Sequence, residues 1–140
     1  MKQRVNINTD DVWLSPGYPM NQAVAEPSGR RVHLSGQVAW DADFNVLHAG
    51  DAAAQTKAAL ENVEKILRSA GGGLEDIVSI TTYYVRESDR DAITEARRAV
   101  LDKDFGPATT GIQVAKIWES DLLVELVATA VIPEDRFNEQ

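Results

Sequence analysis

The sequence contains no cysteine in its 140 residues, which excludes disulfides, thiol nucleophiles and Cys-ligated zinc. His33 and His48 are its two histidines. One lies in an expected strand and the other in a loop, without metal-ligand spacing, so neither is read as a ligand. No apolar run approaches the roughly 18 residues that a bilayer-crossing helix needs. The opening MKQRVNINTDDVW has no apolar stretch behind its basic residues, so neither a secretory signal nor a membrane partner is expected, and the cytoplasm is the expected compartment. Positive charge is also scarce, with 14 Lys and Arg against 22 Asp and Glu and a net charge of -8. Phosphate backbones are bound through Lys and Arg, so no nucleic-acid partner is expected. The adjacent pairs Arg30-Arg31 and Arg97-Arg98 are read as solvated surface. GxSxG, GxGxxG and P-loop patterns are missing. Gly71-Gly72-Gly73 follows an expected helix, where it reads as a stop signal rather than a phosphate cradle.

What is present suits one domain over residues 1–140, with 44% apolar and 26% charged residues. Residues 15–30 are rich in Pro, Gly and Ser and read as a loop after a first edge strand. Alternation predicts a strand over 32–38, and Asp41 to Asn45 is turn-like, suggesting a hairpin. Ala53, Thr56, Leu60, Val63, Leu67 and Ala70 recur at helical spacing, predicting a helix over 51–70 capped by Asp51. A β-branched and aromatic run predicts a strand over 77–86. A second helix is expected over 89–103, buried through Ile93, Ala96 and Val100, with Ser88 and Asp91 at capping-box spacing. Strands over 110–118 and 122–132 close the chain. The order β-β-β-α-β-α-β-β places it in the α/β class, as an α+β mixed sheet with two helices on one face. The last strand is apolar on both sides, through Leu122, Val124, Leu126, Ala128 and Ala130 on one and Leu123, Val127 and Val131 on the other. Such a strand needs cover on both faces, and a second subunit is the expected second cover.

Glu125 interrupts this apolar strand. A carboxylate among apolar neighbours is costly unless paired, hydrogen-bonded or protonated. Two readings stand side by side: a structural ion pair across a subunit interface, and a functional carboxylate holding water or a substrate group in a cleft.

The phrases Leu34-Ser35-Gly36-Gln37-Val38, Asp51 to Gln55, Ala59-Leu60-Glu61-Asn62-Val63, Ala70-Gly71, Asp76-Ile77-Val78, Pro107-Ala108-Thr109 and Leu123-Val124-Glu125 occur in an order and spacing that resembles the Rid (YjgF, reactive intermediate deaminase) family from about Gly17 to Ile132. The resemblance implies a chorismate-mutase-like fold and a homotrimer with a β-barrel core, helices outside and three clefts between subunits. It also implies hydrolysis of small enamines or imines to keto acids and ammonia, with no metal or organic cofactor. Carried over by position, Glu125 matches the water-positioning Glu, Ser35 and Gly36 the cleft lining, Tyr18 the cleft tyrosine, and Gly111 a backbone donor to the substrate carboxylate. Thr109 departs from the pattern, because deaminase-active members have Arg there to clamp that carboxylate. A hydroxyl offers one neutral hydrogen bond where the guanidinium offers a charged fork. Arg86 and Lys116 are the cations considered as replacements, although both stand where solvated side chains are common. Glu95, where many deaminase members have Asn, is read as surface. The implied function is therefore a small-metabolite hydrolase acting on a non-standard substrate. The alternative is a trimer that binds a small ligand without turnover.

Overall fold

Asp51 starts the first helix as its position predicts. In the structure, a computed structural model that describes residues 1–14, 17–101 and 105–139, its carboxylate accepts from the Ala54 N–H at 3.0 Å, satisfying one of the orphan donors of a helix start. This helix, α1 (Ala52–Ser69), ends where the Gly72 N–H donates to the Leu67 carbonyl at 2.8 Å. Thr56, Leu60, Val63 and Leu67 are buried, but the buried face is wider than the predicted stripe and takes in Ala52, Gln55, Ala58 and Ala59. Gln55 was not expected inside. It is fully buried, accepts from the Leu123 N–H at 2.8 Å and donates to the Asp121 carbonyl at 2.8 Å. One amide thereby ties the helix to the chain entering the last strand.

The elements are β1 (Val5–Ile7), β2 (Ala23–Ala25), β3 (Arg30–His33), α1, β4 (Ile77–Tyr84), α2 (Arg90–Val100), β5 (Ala108–Gln113) and β6 (Val124–Ile132), with short 3-10 turns at Leu74–Asp76 and Glu87–Asp89. The order β-β-β-α-β-α-β-β is the expected one, but β2 falls within the segment 15–30, whose composition reads as a loop, and β5 stops at Gln113 instead of running to 118. β1 and β2 form a separate antiparallel pair. The main sheet runs β3-β6-β4-β5, with β4 and β5 parallel and the other pairings antiparallel. The turn expected at residues 41–45 is present, the Asp41 carboxylate accepting from the Asp43 and Asn45 N–H groups, each at 2.9 Å, but a single Trp40–Val46 bridge spans it where a hairpin is expected. Among the described residues no helix is long and apolar enough to cross a membrane.

Side chains alternate across β6 as the pleat requires. Val124, Leu126, Ala128 and Ala130 are at most 2% exposed and join the core under the helices. Glu125, Val127 and Thr129 are half-buried on the other face, which carries no helix. Of the apolar residues expected to need a second subunit's cover, Leu123 and Val131 are already buried within the single chain, at 6% and 2% exposure, and only Val127 is left half-buried.

Three expectations about α2 need correction. Ser88 does not cap it: the Glu87–Asp89 turn leads in, and Arg86 grips Asp89 with bonds of 2.7 and 3.1 Å. The helix ends at Val100, because Leu101 is already extended (φ -92°, ψ 129°), and positions 102 and 103 of the predicted span lie outside the described residues. Val100, expected in the buried stripe, is 40% exposed, and Arg97 is buried beside Ile93 and Ala96 instead.

The chain end folds back on the helix C-terminus. The Arg136 guanidinium donates to both carboxylate oxygens of Asp76 at 2.7 and 3.1 Å, and the buried Asp76 also accepts from the Gly73 N–H at 2.9 Å. Bonding to Asp76 holds the Arg136 guanidinium above its ordinary pKa.

Candidate functional site

Three of the predicted residues meet in one cavity. Asn21 stitches the loop carrying Tyr18 to the start of β5: its side chain donates to the Gly106 carbonyl at 2.7 Å and its N–H to the Pro107 carbonyl at 3.3 Å. The approach is close enough that a Cβ on Gly106 would stand 2.7 Å from the Pro19 carbonyl carbon. Tyr18 is thereby laid against β5 and α2, where it lines a cavity of about 420 Å³ with Thr109 and Gly111. Thr82 and Tyr84 of β4 complete the floor, and Trp13 adds a third ring at the rim. The helix wall is one stripe of α2, at positions 90, 93, 94, 97 and 98.

Arg97 is the residue that sequence reasoning missed. Pairing it with Arg98 as surface charge ignored that neighbours on a helix diverge by about 100°, so one of the two turns inward. Arg97 is 3% exposed. Its Nη2 donates to Thr109 Oγ1 at 3.3 Å, while that hydroxyl donates to the Pro107 carbonyl at 3.1 Å. Its Nε has no hydrogen-bond partner, and no carboxylate pairs with it among the described residues. The guanidinium carbon stands 5.6 Å from the Tyr18 ring centroid, within cation–π range. Burial lowers its pKa, with Tyr18 opposing the shift, yet a guanidinium stays charged at neutral pH. Arg86, held by Asp89 and the Gly50 carbonyl, is outside this cavity. Glu95 is on the surface as expected, its side chain 67% exposed and 3.7 Å from Arg98.

Glu125 and Gly36 meet elsewhere. β6 pairs Glu125 with Tyr83, whereas Thr82 pairs with Leu126 and Gly111. Alternation therefore puts Glu125 on the open face and the Thr82–Gly111 floor on the helix face. The predicted strand over 32–38 stops being regular at His33, and the chain continues along β6 through a bulge. His33 opposes Thr129 and Gln37 opposes Leu126, so four steps on one strand match three on the other. Bulges of this kind re-aim a backbone next to functional groups. Here the bulge sets Gly36 on the Glu125 side chain, where a Cβ would stand 2.8 Å from the carboxylate carbon. Ser35, one residue earlier, is exposed. Glu125 also lines a smaller cavity of about 290 Å³ with Tyr83, Lys116 and Val127. Its carboxylate takes no hydrogen bond or ion pair among the described residues.

This is a mixed α+β protein whose sheet carries an aromatic-walled, cationic cavity under its helices and a lone carboxylate on its bare face. The model of the family described as Endoribonuclease L-PSP matches residues 14–132, and the chain belongs to that family, whose members also carry the names RutC, RidA and YjgF. It is 36% identical over 116 residues to the RutC family protein UK114 of Drosophila melanogaster, covering 83% of this chain and 81% of that one. To the 3-aminoacrylate deaminase RutC of Acinetobacter baylyi it is 35% identical over 124 residues, covering 86% and 96%. Among solved structures it is similar to the Rid-family protein YyfB of Yersinia pestis, with a TM-score of 0.81, 33% identity and coverage of 92% and 98%.

Proposed function

We propose that the chain is an imine or enamine hydrolase of the Rid type, acting as a homotrimer whose clefts lie between subunits, on a small metabolite other than the family's three-carbon substrates. The observation that carries this reading is the division of the expected site between two faces of one sheet. Glu125 and Gly36 stand on the bare face, while Tyr18, Thr109 and Gly111 line the cavity under α2. One copy cannot bring these halves together, but a cleft between two copies can. The half-buried Val127 and the 40%-exposed Ile112 on or beside the bare face supply apolar area for such contact. Similarity to a 3-aminoacrylate deaminase lends support.

The chemistry asks little of the protein. An imine carbon is already electrophilic. Addition of water gives a carbinolamine, whose collapse releases ammonia and leaves a carbonyl. The site must hold the substrate, place one water and move one proton. Glu125 accepts a hydrogen bond from that water and takes its proton as the C–O bond forms, then returns it to the departing nitrogen. Tyr83, Ile117 and Val127, which line the same small cavity, limit competing solvation of the carboxylate.

The test is keto-acid and ammonia release from imino acids generated in situ from alanine and from phenylalanine by an amino-acid oxidase. Wild type is expected to accelerate hydrolysis of the phenylalanine-derived imino acid more than that of the three-carbon one from alanine, and Glu125→Ala to lose about 10²- to 10⁴-fold of that acceleration. Full activity in Glu125→Ala, or inertness of wild type toward both, overturns the proposal. So does a solution mass near one 15.3-kDa chain rather than three.

A further inference from the structure

Among the described residues, two buried side-chain polar atoms lack a hydrogen-bond partner, Arg97 Nε and Thr82 Oγ1. Both residues are 3% exposed and both line the cavity under α2, one from the helix wall and one from the sheet floor. Buried polar groups are rarely left unpaired, and a buried cation with no acidic partner is the costliest case. Both side chains line one opening, so a ligand seated there would lie beside both unpaired groups.

We infer that Arg97 is the anion anchor of this cleft and that its ligand is a monocarboxylate with a flat, aromatic or conjugated body. The hydrolase reading bears only on what happens to that ligand after it binds. The negative charge follows from the guanidinium, whose planar edge carries one long bond to Thr109 and one free N–H. That edge matches the two oxygens of a carboxylate. A single charge is favoured over a phosphate dianion because the other two arginines at the rim already face acids. Arg90 is 3.6 Å from Glu87 and Arg98 is 3.7 Å from Glu95, and all four side chains are well exposed. They steer an anion inward without neutralising a second charge at depth. The flat body follows from the lining of Trp13, Tyr18 and Tyr84 and from the 420 Å³ of space, which falls in the range of about 300–1,000 Å³ typical of organic-ligand sites. Gly111 adds room, since a Cβ there would meet nothing within 4 Å. The anchor has thus moved from the strand, where Thr109 stands, to the helix wall above it, and a larger molecule fits between.

The experiment titrates the full chain with benzoate, benzamide, acetate and inorganic phosphate by calorimetry, with tryptophan fluorescence as a second signal. Wild type is expected to bind benzoate, with benzamide and acetate each about 30-fold weaker and phosphate weaker still. Arg97→Met is expected to lose about 30-fold in benzoate affinity at unchanged oligomeric mass, Arg97→Lys to lie between, and the near-isosteric Thr82→Val to lose several-fold. Failure of wild type to bind benzoate overturns the inference, as does equal binding by Arg97→Met or a preference for phosphate. Dissociation of the oligomer in Arg97→Met with benzoate binding retained would assign the guanidinium to a second copy's carboxylate and also overturn it. The two proposals fail separately. Arg97-dependent benzoate binding by a protein inert toward imines upholds the anchor and removes the hydrolase. Imine hydrolysis untouched by Arg97→Met does the reverse.

Discussion

Replacing Gly36 with alanine moves the proposed water-handling carboxylate without removing it. The new Cβ would stand 2.8 Å from the Glu125 carboxylate carbon and 3.3 Å from its Cγ, and closer still to one carboxylate oxygen. Ordinary carbon contacts begin at about 3.5 Å, so the carboxylate must retreat by roughly 1 Å. The clashing atoms are the far end of a side chain on a half-buried face with no bond to break, so stability should fall by less than about 1 kcal/mol. Catalysis should respond far more, because a misplacement of about 1 Å is worth roughly 10²-fold in rate. Gly36→Ala is therefore expected to lower kcat by roughly 10²-fold on whichever imino acid wild type turns over, with KM changed by less than about threefold. Circular dichroism melts should overlay those of wild type within a few degrees. The decisive comparison is with Glu125→Ala. If the glutamate variant is dead while Gly36→Ala keeps full kcat, the position of the carboxylate is not what Gly36 protects. A large loss of stability in Gly36→Ala would instead mark Gly36 as a packing residue.

Gln55→Leu keeps the volume but strands the buried Leu123 N–H and Asp121 carbonyl, so it should cost about 2–4 kcal/mol in a urea melt. Gln55→Glu, which keeps only the acceptor and buries a charge, should cost no less. Arg136→Met leaves Asp76 buried with the Gly73 N–H as its remaining partner. Because Arg136 is 42% exposed, the loss is expected to be about 1–2 kcal/mol, read as a lower melting temperature at neutral pH.

The element order was readable because each segment declared its period: the 3.6-residue stripe of α1, the capping Asp51, and the β-branched run of β4. Strand limits were less readable. The bulge after His33 comes from pairing against β6, and nothing in the alternation of residues 32–38 announces it. Val100 was assigned inside from periodicity alone, but the helix stops there and tertiary packing chose Arg97. That choice had a sequence signal: Arg97 lies four residues after Ile93, on the side that Ile93 buries. Treating Arg97-Arg98 as one charged patch discarded the angular information that a helix imposes. Gln55 was hidden for a different reason, since its burial depends on carbonyl and amide groups from Asp121 and Leu123, far along the chain. Glu125 stood out because its strand is otherwise apolar, but which face it occupies required the register with Tyr83.

The sheet keeps the carboxylate and the cationic cavity on separate elements as well as separate faces. Glu125 belongs to β6, whose neighbours form the core, so its surroundings are hard to change without unfolding the protein. The cavity wall belongs to a single stripe of α2, packed on an edge strand and open at its rim. Mutations that exchange residues at 90, 94 or 98 leave the core untouched, and natural variation can reshape what the cavity admits while the half that carries Glu125 is inherited intact. A duplicated copy of this gene could drift to a new metabolite through a handful of substitutions on one helix.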